Sequence, residues 1–121
     1  MRIRPLDPLD DLEKVARFYH EAPEYWLLAD RVPPGPTKAA EFFTDGPPNC
    51  DPTRSHRLGM FLDGRLSGVA ELSFGFPEPD DAYLGLLMLG AWAQGAGFGK
   101  VFLAHLEGLA KQSGATQLYL A

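Results

Sequence analysis

A glycine-rich loop after an apolar run is the stretch of this sequence whose residue types and spacing could bind a ligand. The run Leu86–Gly90 precedes the loop Gln94–Lys100, in which Gly95, Gly97 and Gly99 alternate with other residues. Glycines carry no side chain, so the amides of such a loop are open to an anion. A helix that begins near Gly97 would add its own free first-turn amides and the positive end of its dipole. The loop is therefore a candidate site for a phosphate-like group.

The spacing in this loop excludes two common phosphate-binding motifs. A P-loop requires a glycine at the position of Gln94 and a serine or threonine after the Gly99-Lys100 pair, where Val101 stands. A dinucleotide-binding GxGxxG motif fails as well, because no glycine occupies its last place. The pattern that remains is Gln-x-x-Gly-x-Gly, from Gln94 to Gly99.

This pattern resembles the acetyl-CoA pyrophosphate loop of the GNAT N-acetyltransferases, which reads Arg/Gln-x-x-Gly-x-Gly/Ala between a central strand and a long helix. The resemblance implies acetyl-CoA as the cofactor, with its pyrophosphate on the loop and its pantetheine arm along the preceding strand. The implied cofactor-binding residues are Leu87, Met88, Leu89, Gln94, Gly95, Ala96, Gly97, Phe98, Gly99 and Lys100. The alternative is a glycine-rich turn that binds nothing.

Acetyl transfer to an amine needs a base beside the thioester, because the ammonium must lose a proton before it can attack. Glu71 is the first catalytic candidate: it lies in the middle of a predicted strand among apolar neighbours, which raise the pKa of a carboxyl group. Tyr83, near the start of the next strand, is the second. The alternatives are a surface charge or an ion-pair partner of Arg65 for Glu71, and a packing aromatic for Tyr83.

Two aromatic residues are candidates for the acceptor side. Tyr25 and Trp26 fall where the GNAT family places its substrate-facing helices, so the resemblance implies that they line an acceptor pocket, and core packing is the alternative. The acceptor itself stays open among small amines, amino acids, polyamines and the N-termini or lysines of proteins. The net charge of −5 favours a cationic acceptor.

Hydrophobic periodicity and turn residues predict the elements that must position these groups. On the return strand of the hairpin, Leu66 is expected to share a face with Ala70 and Leu72, opposite Glu71. In chain order, the first predicted elements are a strand over Arg2–Leu6, a helix over Leu9–His20 capped by Asp7 or Asp10, a helical piece within Glu24–Asp30 and a further turn after Thr37. Two strands follow, over Arg57–Leu62 and Arg65–Phe74, joined by a tight Asp63-Gly64 turn. The last elements are a strand over Ala82–Leu89 that is apolar on both faces, a helix from Gly97 that ends before Gly114, and a strand over Ala115–Ala121.

This order is that of the N-acetyltransferase fold through its fifth strand, an α/β fold with a mixed central sheet. The family continues with another helix, two strands and often a tyrosine that protonates the leaving thiolate, so residues 1–121 are expected to form a single domain that is shortened at its C-terminus. The first interpretation is an acetyl-CoA-dependent N-acetyltransferase. A catalytically inactive CoA-binding module and an interaction module are the alternatives.

Composition and charge narrow the possible partners and location. A chain of 121 residues with 45% hydrophobic and 22% charged residues is ordinary for a globular domain. Because the sequence has no basic run, no membrane-length apolar segment and no signal peptide, we expect no nucleic-acid or membrane partner and a cytoplasmic location. Cys50 is the only cysteine, and no metal site is expected. The apolar strand Ala115–Ala121 lacks a predicted cover, which favours a homodimer.

Overall fold

A computed structural model describes residues 1–24 and 37–120, so the predicted helical piece within residues 24–30 lies largely outside the described residues. Within the described ranges the elements follow the predicted order. The strands are β1 (Arg2–Pro5), β2 (His56–Leu62), β3 (Arg65–Phe74), β4 (Asp81–Leu89) and β5 (Gln117–Leu120), and the helices are α1 (Leu12–Glu21), α2 (Lys38–Glu41) and α3 (Phe98–Gln112).

The described strands form one sheet in the order β1-β2-β3-β4-β5. The first four strands are antiparallel neighbours, and β5 returns parallel to β4 after the crossover through α3. The pairing of β4 with β5 covers only Asp81 to Leu84. From Gly85 to Leu89, β4 has β3 on one side and no described strand on the other. This half of β4 is thus free at one edge, directly before the glycine loop.

A hydrophobic core lies on each face of the sheet, as a central strand that is apolar on both faces requires. Met88 faces the α1 side, and Leu84 faces the α3 side. The α1-side core includes Val15, Phe18, Tyr19, Phe42, Phe61, Leu66 and Val69. The α3-side core includes Leu58, Met60, Ala70, Leu72, Phe102 and Leu106.

Two β-bulges change which face the residues of β3 and β4 occupy. Met60 pairs with Gly68 but Phe61 pairs with Leu66, so Ser67 is an extra residue in β3. The prediction that Leu66 shares a face with Ala70 and Leu72 is therefore wrong, and Leu66 packs on the α1 side. The second extra residue is Gly85 in β4, between the partners of Glu71 and Leu72.

The start of α1 differs from the prediction. The helix begins at Leu12 after Asp11, and Leu9 is 89% exposed instead of buried. The Asp7 carboxylate accepts hydrogen bonds from the amides of Leu9 and Asp10, at 2.8 and 2.7 Å. Asp7 therefore closes a separate turn ahead of the helix, and neither Asp7 nor Asp10 is the cap residue of α1.

Asp11 joins β1 to the start of α1. Its two carboxylate oxygens accept bonds from the Arg4 guanidinium, both at 2.9 Å, and one of them also accepts the Asp7 amide at 2.8 Å. The hydrogen bond from Arg4 is the main reason that the pKa of Asp11 lies well below its ordinary value, and it outweighs the opposing effect of burial. This contribution to stability is complete above the ordinary carboxyl pKa and is lost as the pH falls.

We expect Asp11→Asn to lower the free energy of unfolding by about 2 kcal/mol at pH 7, since it weakens charge-assisted hydrogen bonds to a buried group. Urea unfolding measures this loss, and the difference between variant and wild type should shrink in acid. The exposed neighbour provides the control: Asp10→Asn should change stability by less than about 0.5 kcal/mol. An equal effect of the two variants would contradict the role of Asp11.

No helix in the described part of the chain is long and apolar enough to cross a membrane.

The tight hairpin turn is confirmed, because Asp63 and Gly64 both adopt positive φ values, of 51° and 81°. The end of α3 also matches the prediction: Ser113 is the C-cap, and Gly114 follows with a φ of 84°.

Candidate active site

The glycine loop has a backbone that only glycine adopts without strain. Gly95 and Gly97 have φ values of 82° and 85°, in the left-handed region. Gly97 is the N-cap of α3, and a Cβ atom at Gly95 or Gly97 would meet no other atom within 4 Å. The glycines are therefore explained by backbone conformation and not by crowding, which leaves the space above the loop open.

The amides of this loop are available to an anion. The first bond of the helix runs from the Val101 amide to the Gly97 carbonyl, at 3.3 Å, and no described backbone carbonyl accepts the amides of Gly95 to Lys100. The first turn of α3 holds no acidic residue, and Lys100 adds a positive charge there. These features fit a pyrophosphate group, for which free amides, the helix dipole and a cation act in the same direction.

Gln94 ties this loop to β4. Its side-chain amide donates a hydrogen bond to the Leu89 carbonyl at 3.2 Å, across the short 3₁₀ turn Ala91–Ala93. Leu87 and Leu89 pack toward α3, whereas Met88 is buried on the α1 side. The residues from Leu87 to Leu89 thus lie on the free-edged half of β4 and lead directly to the loop.

A cavity of about 410 Å³ lies on the α1 side of the sheet, and both catalytic candidates line it. Glu71 and Tyr83 face it from β3 and β4, and Leu86 lies beside them. The distance along β4 from Gly85, which also lines the cavity, to Leu89 at the loop is about 13 Å at the usual rise of an extended strand. The other lining residues are Tyr19, Lys38, Glu41, Phe42, Asp45, Gly46, Pro47, Pro48, Arg57 and Phe76.

The Glu71 side chain is buried, with the residue only 5% exposed, and three groups contact its carboxylate. The Ser73 hydroxyl donates a short hydrogen bond to Oε1, and the Gly85 amide also bonds to the carboxylate. The Arg57 guanidinium lies 3.9 Å from Oε1. A Cβ atom at position 85 would collide with Oε2, so the extra residue in β4 must be glycine for the carboxylate to occupy this place.

Burial raises the pKa of Glu71 above its ordinary value. The Ser73 hydrogen bond, the Arg57 charge and the Gly85 amide lower it, and the nearby Asp45 charge raises it further, but desolvation is the largest effect. A carboxyl group of this kind holds its proton to a higher pH than a surface glutamate and is a stronger base once it is ionised.

The alternative that Glu71 pairs with Arg65 is wrong. Arg65 lies 3.4 Å from Glu21 and stacks on the Trp92 ring, with its guanidinium carbon 3.6 Å from the ring centroid. The Trp92 indole N–H in turn donates to the Ser67 hydroxyl at 2.9 Å. Arg65 thus belongs to the hairpin end of the sheet, and the cross-strand partner of Glu71 is Arg57.

Of the remaining candidates Tyr83, Tyr25 and Trp26, only Tyr83 lies within the described residues. Tyr83 is half-buried and packs edge-on against Phe76, with ring centroids 5.0 Å apart, while it lines the cavity. Tyr25 and Trp26 lie outside the described residues. Within the described residues, no group of three or more histidine, cysteine or acidic side chains is arranged to hold a metal ion.

Sequence reasoning missed the groups that surround Glu71. The Ser73 hydroxyl could have been found, because a residue two positions away in a strand shares the face of Glu71. Arg57 was harder to assign, since an unbroken register from the Asp63-Gly64 turn would place Ala70 opposite it. The bulge at Ser67 brings Glu71 there instead.

Comparison with known proteins places this architecture in one family. The family model for the acetyltransferase (GNAT) family matches residues 11–121. A search of curated proteins found no significant match. An acetyltransferase structure from Thermus thermophilus is similar at 25% identity with a TM-score of 0.78, and the match covers 98% of this chain and 73% of that one.

Two other similar structures are more distant in sequence. A ribosomal-protein-alanine N-acetyltransferase from Brucella melitensis biovar Abortus 2308 has 19% identity and a TM-score of 0.71, with coverage of 99% of this chain and 79% of that one. The PaiA N-acetyltransferase from Thermoplasma acidophilum, in complex with coenzyme A, has 22% identity and a TM-score of 0.66, with coverage of 94% and 74%. At these identities the likeness shows the fold.

A mixed sheet whose fourth strand leads through a glycine loop into a helix is the architecture of acyl-CoA-dependent acetyltransferases. With the family model matched over nearly the whole sequence, the chain belongs to the acetyltransferase (GNAT) family.

Proposed function

We propose that this chain binds acetyl-CoA and transfers its acetyl group to an amine, with Glu71 as the base. The observation that carries the proposal is that one strand, β4, joins the anion-ready glycine loop to the cavity that Glu71 lines. Membership of the family supports acyl-CoA-dependent transfer in general. The residue roles, the acceptor and the activity of this chain are the proposed part.

The cofactor would lie along the loop and the free-edged half of β4. The amides from Gly95 to Lys100 would hold its pyrophosphate, and the backbone of Leu87, Met88 and Leu89 would line its extended arm. When bound, acetyl-CoA supplies an activated thioester whose acetyl group forms an amide with the acceptor as the CoA thiol is released. The described residues fit this cofactor because the loop offers free amides and its first helical turn holds no carboxylate.

Glu71 would remove the proton that an incoming ammonium must lose, directly or through one water molecule. Its Oε1 already accepts the Ser73 hydroxyl, and its position in the cavity wall lets an amine approach from the solvent side. Tyr83 would line the same cavity beside the acceptor. Tyr25 and Trp26 are proposed to add to the acceptor pocket.

The acceptor would be a small molecule or a peptide that carries a protonated amine. Three carboxylates line the cavity, those of Glu41, Asp45 and Glu71, against two basic side chains, and the one excess negative charge favours a cation there. The aromatic rings of Phe42 and Phe76 provide apolar contact for the rest of the acceptor.

An acceptor screen tests this function directly. The purified chain is incubated with acetyl-CoA and a panel of arylalkyl amines, polyamines, amino acids and peptides, and thiol release and the mass of the product are measured. The proposal predicts acetylated product with at least one amine. Cofactor binding without turnover on any of them would favour the alternative of a catalytically inactive CoA-binding or regulatory module, and absence of binding would contradict both.

We also propose that the chain folds as a single domain, that it lies in the cytoplasm and that two copies form a homodimer. What supports the dimer is apolar exposure on β5, where Leu120 is 61% exposed and Tyr119 40%. An exposed apolar strand of this kind is an association surface.

Light scattering over a dilution series measures the homodimer. We expect the mass of two chains at micromolar concentration and, for Leu120→Glu, the mass of one chain, because a buried charge in the contact is costly. Leu9→Glu, at another exposed apolar position near the other end of the chain, should remain dimeric. A wild-type monomer at every concentration would contradict the proposal.

A further inference from the structure

The Arg57 side chain connects three segments around the cavity. Its Nε–H donates to the Ser55 hydroxyl at 2.9 Å, and its second nitrogen, Nη1, donates a short hydrogen bond to the Phe42 carbonyl. The third, Nη2, lies 3.9 Å from Glu71 Oε1. Arg57 thus links the segment after α2, the turn before β2 and the proposed base on β3.

Nη2 is the one atom of this guanidinium that no described group satisfies. Arg57 is only 8% exposed, yet Nη2 is buried without a hydrogen-bond partner among the described residues. Leaving a buried charged donor unpaired is costly. A hydrogen bond to Glu71 would need a shorter approach than 3.9 Å, so the two groups interact through charge across a gap.

This gap matters for a base. A guanidinium in bidentate contact, like that of Arg4 on Asp11, occupies carboxylate lone pairs and lowers the pKa strongly. Across 3.9 Å the positive charge favours ionised Glu71 without occupying its oxygens. The carboxylate therefore keeps acceptor positions for an ammonium or a water molecule.

We propose that Arg57 is a positioning residue that keeps Glu71 ionised and in place while it holds the Phe42 segment as a wall of the cavity. The inference rests on the proposed function, in which Glu71 is the base. Gly46 supports the placement, because a Cβ atom there would lie 3.5 Å from the Ser73 hydroxyl, 3.7 Å from Arg57 Nη2 and 3.8 Å from Glu71 Oε1. The loop after α2 thus passes directly over the pair.

Other ionisable groups also act on Glu71 and must be considered in a pH experiment. Asp45 opposes Arg57, since its charge raises the pKa of Glu71. Cys50 interacts with Glu71 as well, and burial together with this carboxylate raises the pKa of the thiol. The further ionisable residues that line the cavity are Tyr19, Lys38, Glu41 and Tyr83.

The pH dependence of kcat/KM tests the proposal, since activity rises as the base ionises. The rising limb is the part of the pH profile over which kcat/KM increases with pH. In Arg57→Gln the loss of the positive charge should move this limb to higher pH by about one unit. Near neutral pH the rate should fall by up to about tenfold, and it should recover toward the wild-type plateau at high pH. Arg57→Lys, which keeps the charge, should leave the limb close to that of the wild type.

Matched variants separate this role from general damage. Arg65→Gln removes a cation outside the cavity and should not move the limb. Ser55→Ala removes the acceptor of the Arg57 Nε–H bond, together with the bond that the Ser55 hydroxyl donates to the Pro52 carbonyl at 2.6 Å, and it should move the limb in the same direction by a smaller amount. It tests the proposal even if Arg57→Gln does not fold.

Two results would overturn the role of Arg57: a limb that stays in place in the folded variants, or a rate that falls equally at every pH. Measurement of acetyl-CoA binding and of the Glu71→Gln rate in the same series distinguishes a failure of the proposed function from a failure of the role of Arg57 alone. If Glu71→Gln retains the full rate, the proposed base is wrong. If Glu71→Gln is inactive and Arg57→Gln keeps its pH profile, only the role of Arg57 is wrong.

Discussion

Glu71→Gln should lower kcat for acetyl transfer by about 100-fold while acetyl-CoA binds with unchanged affinity. The amide cannot take a proton from the acceptor, and a positioned general base contributes rate factors of about this size. The substitution keeps the size of the side chain but leaves the buried Arg57 charge without its counter-charge, so stability should fall, and circular dichroism checks that the variant is folded. Thiol release measures the rate, and calorimetry measures cofactor binding.

The control for Glu71→Gln is Glu78→Gln, an exposed acidic residue in the connector before β4. It changes the net charge equally and should retain the wild-type rate. An unchanged rate for Glu71→Gln at every pH would remove this residue from the mechanism and leave another group, or solvent, as the base.

Gly97→Asp should weaken binding of acetyl-CoA by about 100-fold, which corresponds to roughly 2.7 kcal/mol. Two effects act together. The backbone at Gly97 has a φ of 85°, which disfavours a side chain, and a carboxylate would stand at the free amides proposed to hold the pyrophosphate. Calorimetric titration measures the loss, and circular dichroism should show that the fold is retained.

Gly114 provides a matched control at the opposite end of α3. Its φ of 84° equals that of Gly97 within a degree, and a Cβ atom would also meet nothing within 4 Å. Gly114→Asp therefore places a side chain at a similar positive φ and adds the same charge away from the loop, and it should bind acetyl-CoA like the wild type. Gly97→Asn, which keeps the strain without the charge, should fall between the two. Equal binding by Gly97→Asp and wild type would contradict the loop assignment.

Local signals were sufficient for much of the fold. The Asp63-Gly64 turn, the helix start at the glycine loop and the glycine after α3 each depend on backbone preferences of a few adjacent residues, and the structure confirms all three. The apolar run of β4 predicted a strand covered on both faces, and cores lie on both. The GNAT family follows from the same loop and the order of elements around it.

What the sequence did not reveal depends on register. A bulge adds one residue to a strand, and the change at Ser67 could not be seen in the alternation of apolar side chains, whereas Gly85 is a glycine inside an apolar strand and was a usable signal for a bulge. Those two bulges determine that Glu71 lies opposite Arg57 and that its carboxylate fits over a glycine. The candidate base was therefore found from sequence, whereas its electrostatic surroundings required the structure.

The predicted cap residue of α1 was wrong for a related reason. Three aspartates lie within five positions, at Asp7, Asp10 and Asp11, and any of them can bond to backbone amides. The ion pair with Arg4 decides among them, because it places Asp11 at the junction of β1 and α1. A contact between a strand and a helix of this kind is not visible in a local pattern.

Whether the glycine loop and the cavity form one acetyl-transfer site is tested most directly by amide NMR of the ¹⁵N-labelled chain during titration with acetyl-CoA. We predict saturable shifts at the amides of residues 95–100 and 85–89, together with Glu71 and its neighbours in the cavity wall, while the exposed face of α1 stays unchanged. Saturable binding that leaves the loop and β4 amides unmoved, or shifts confined to the loop with none at Gly85 or Glu71, would contradict a single continuous site.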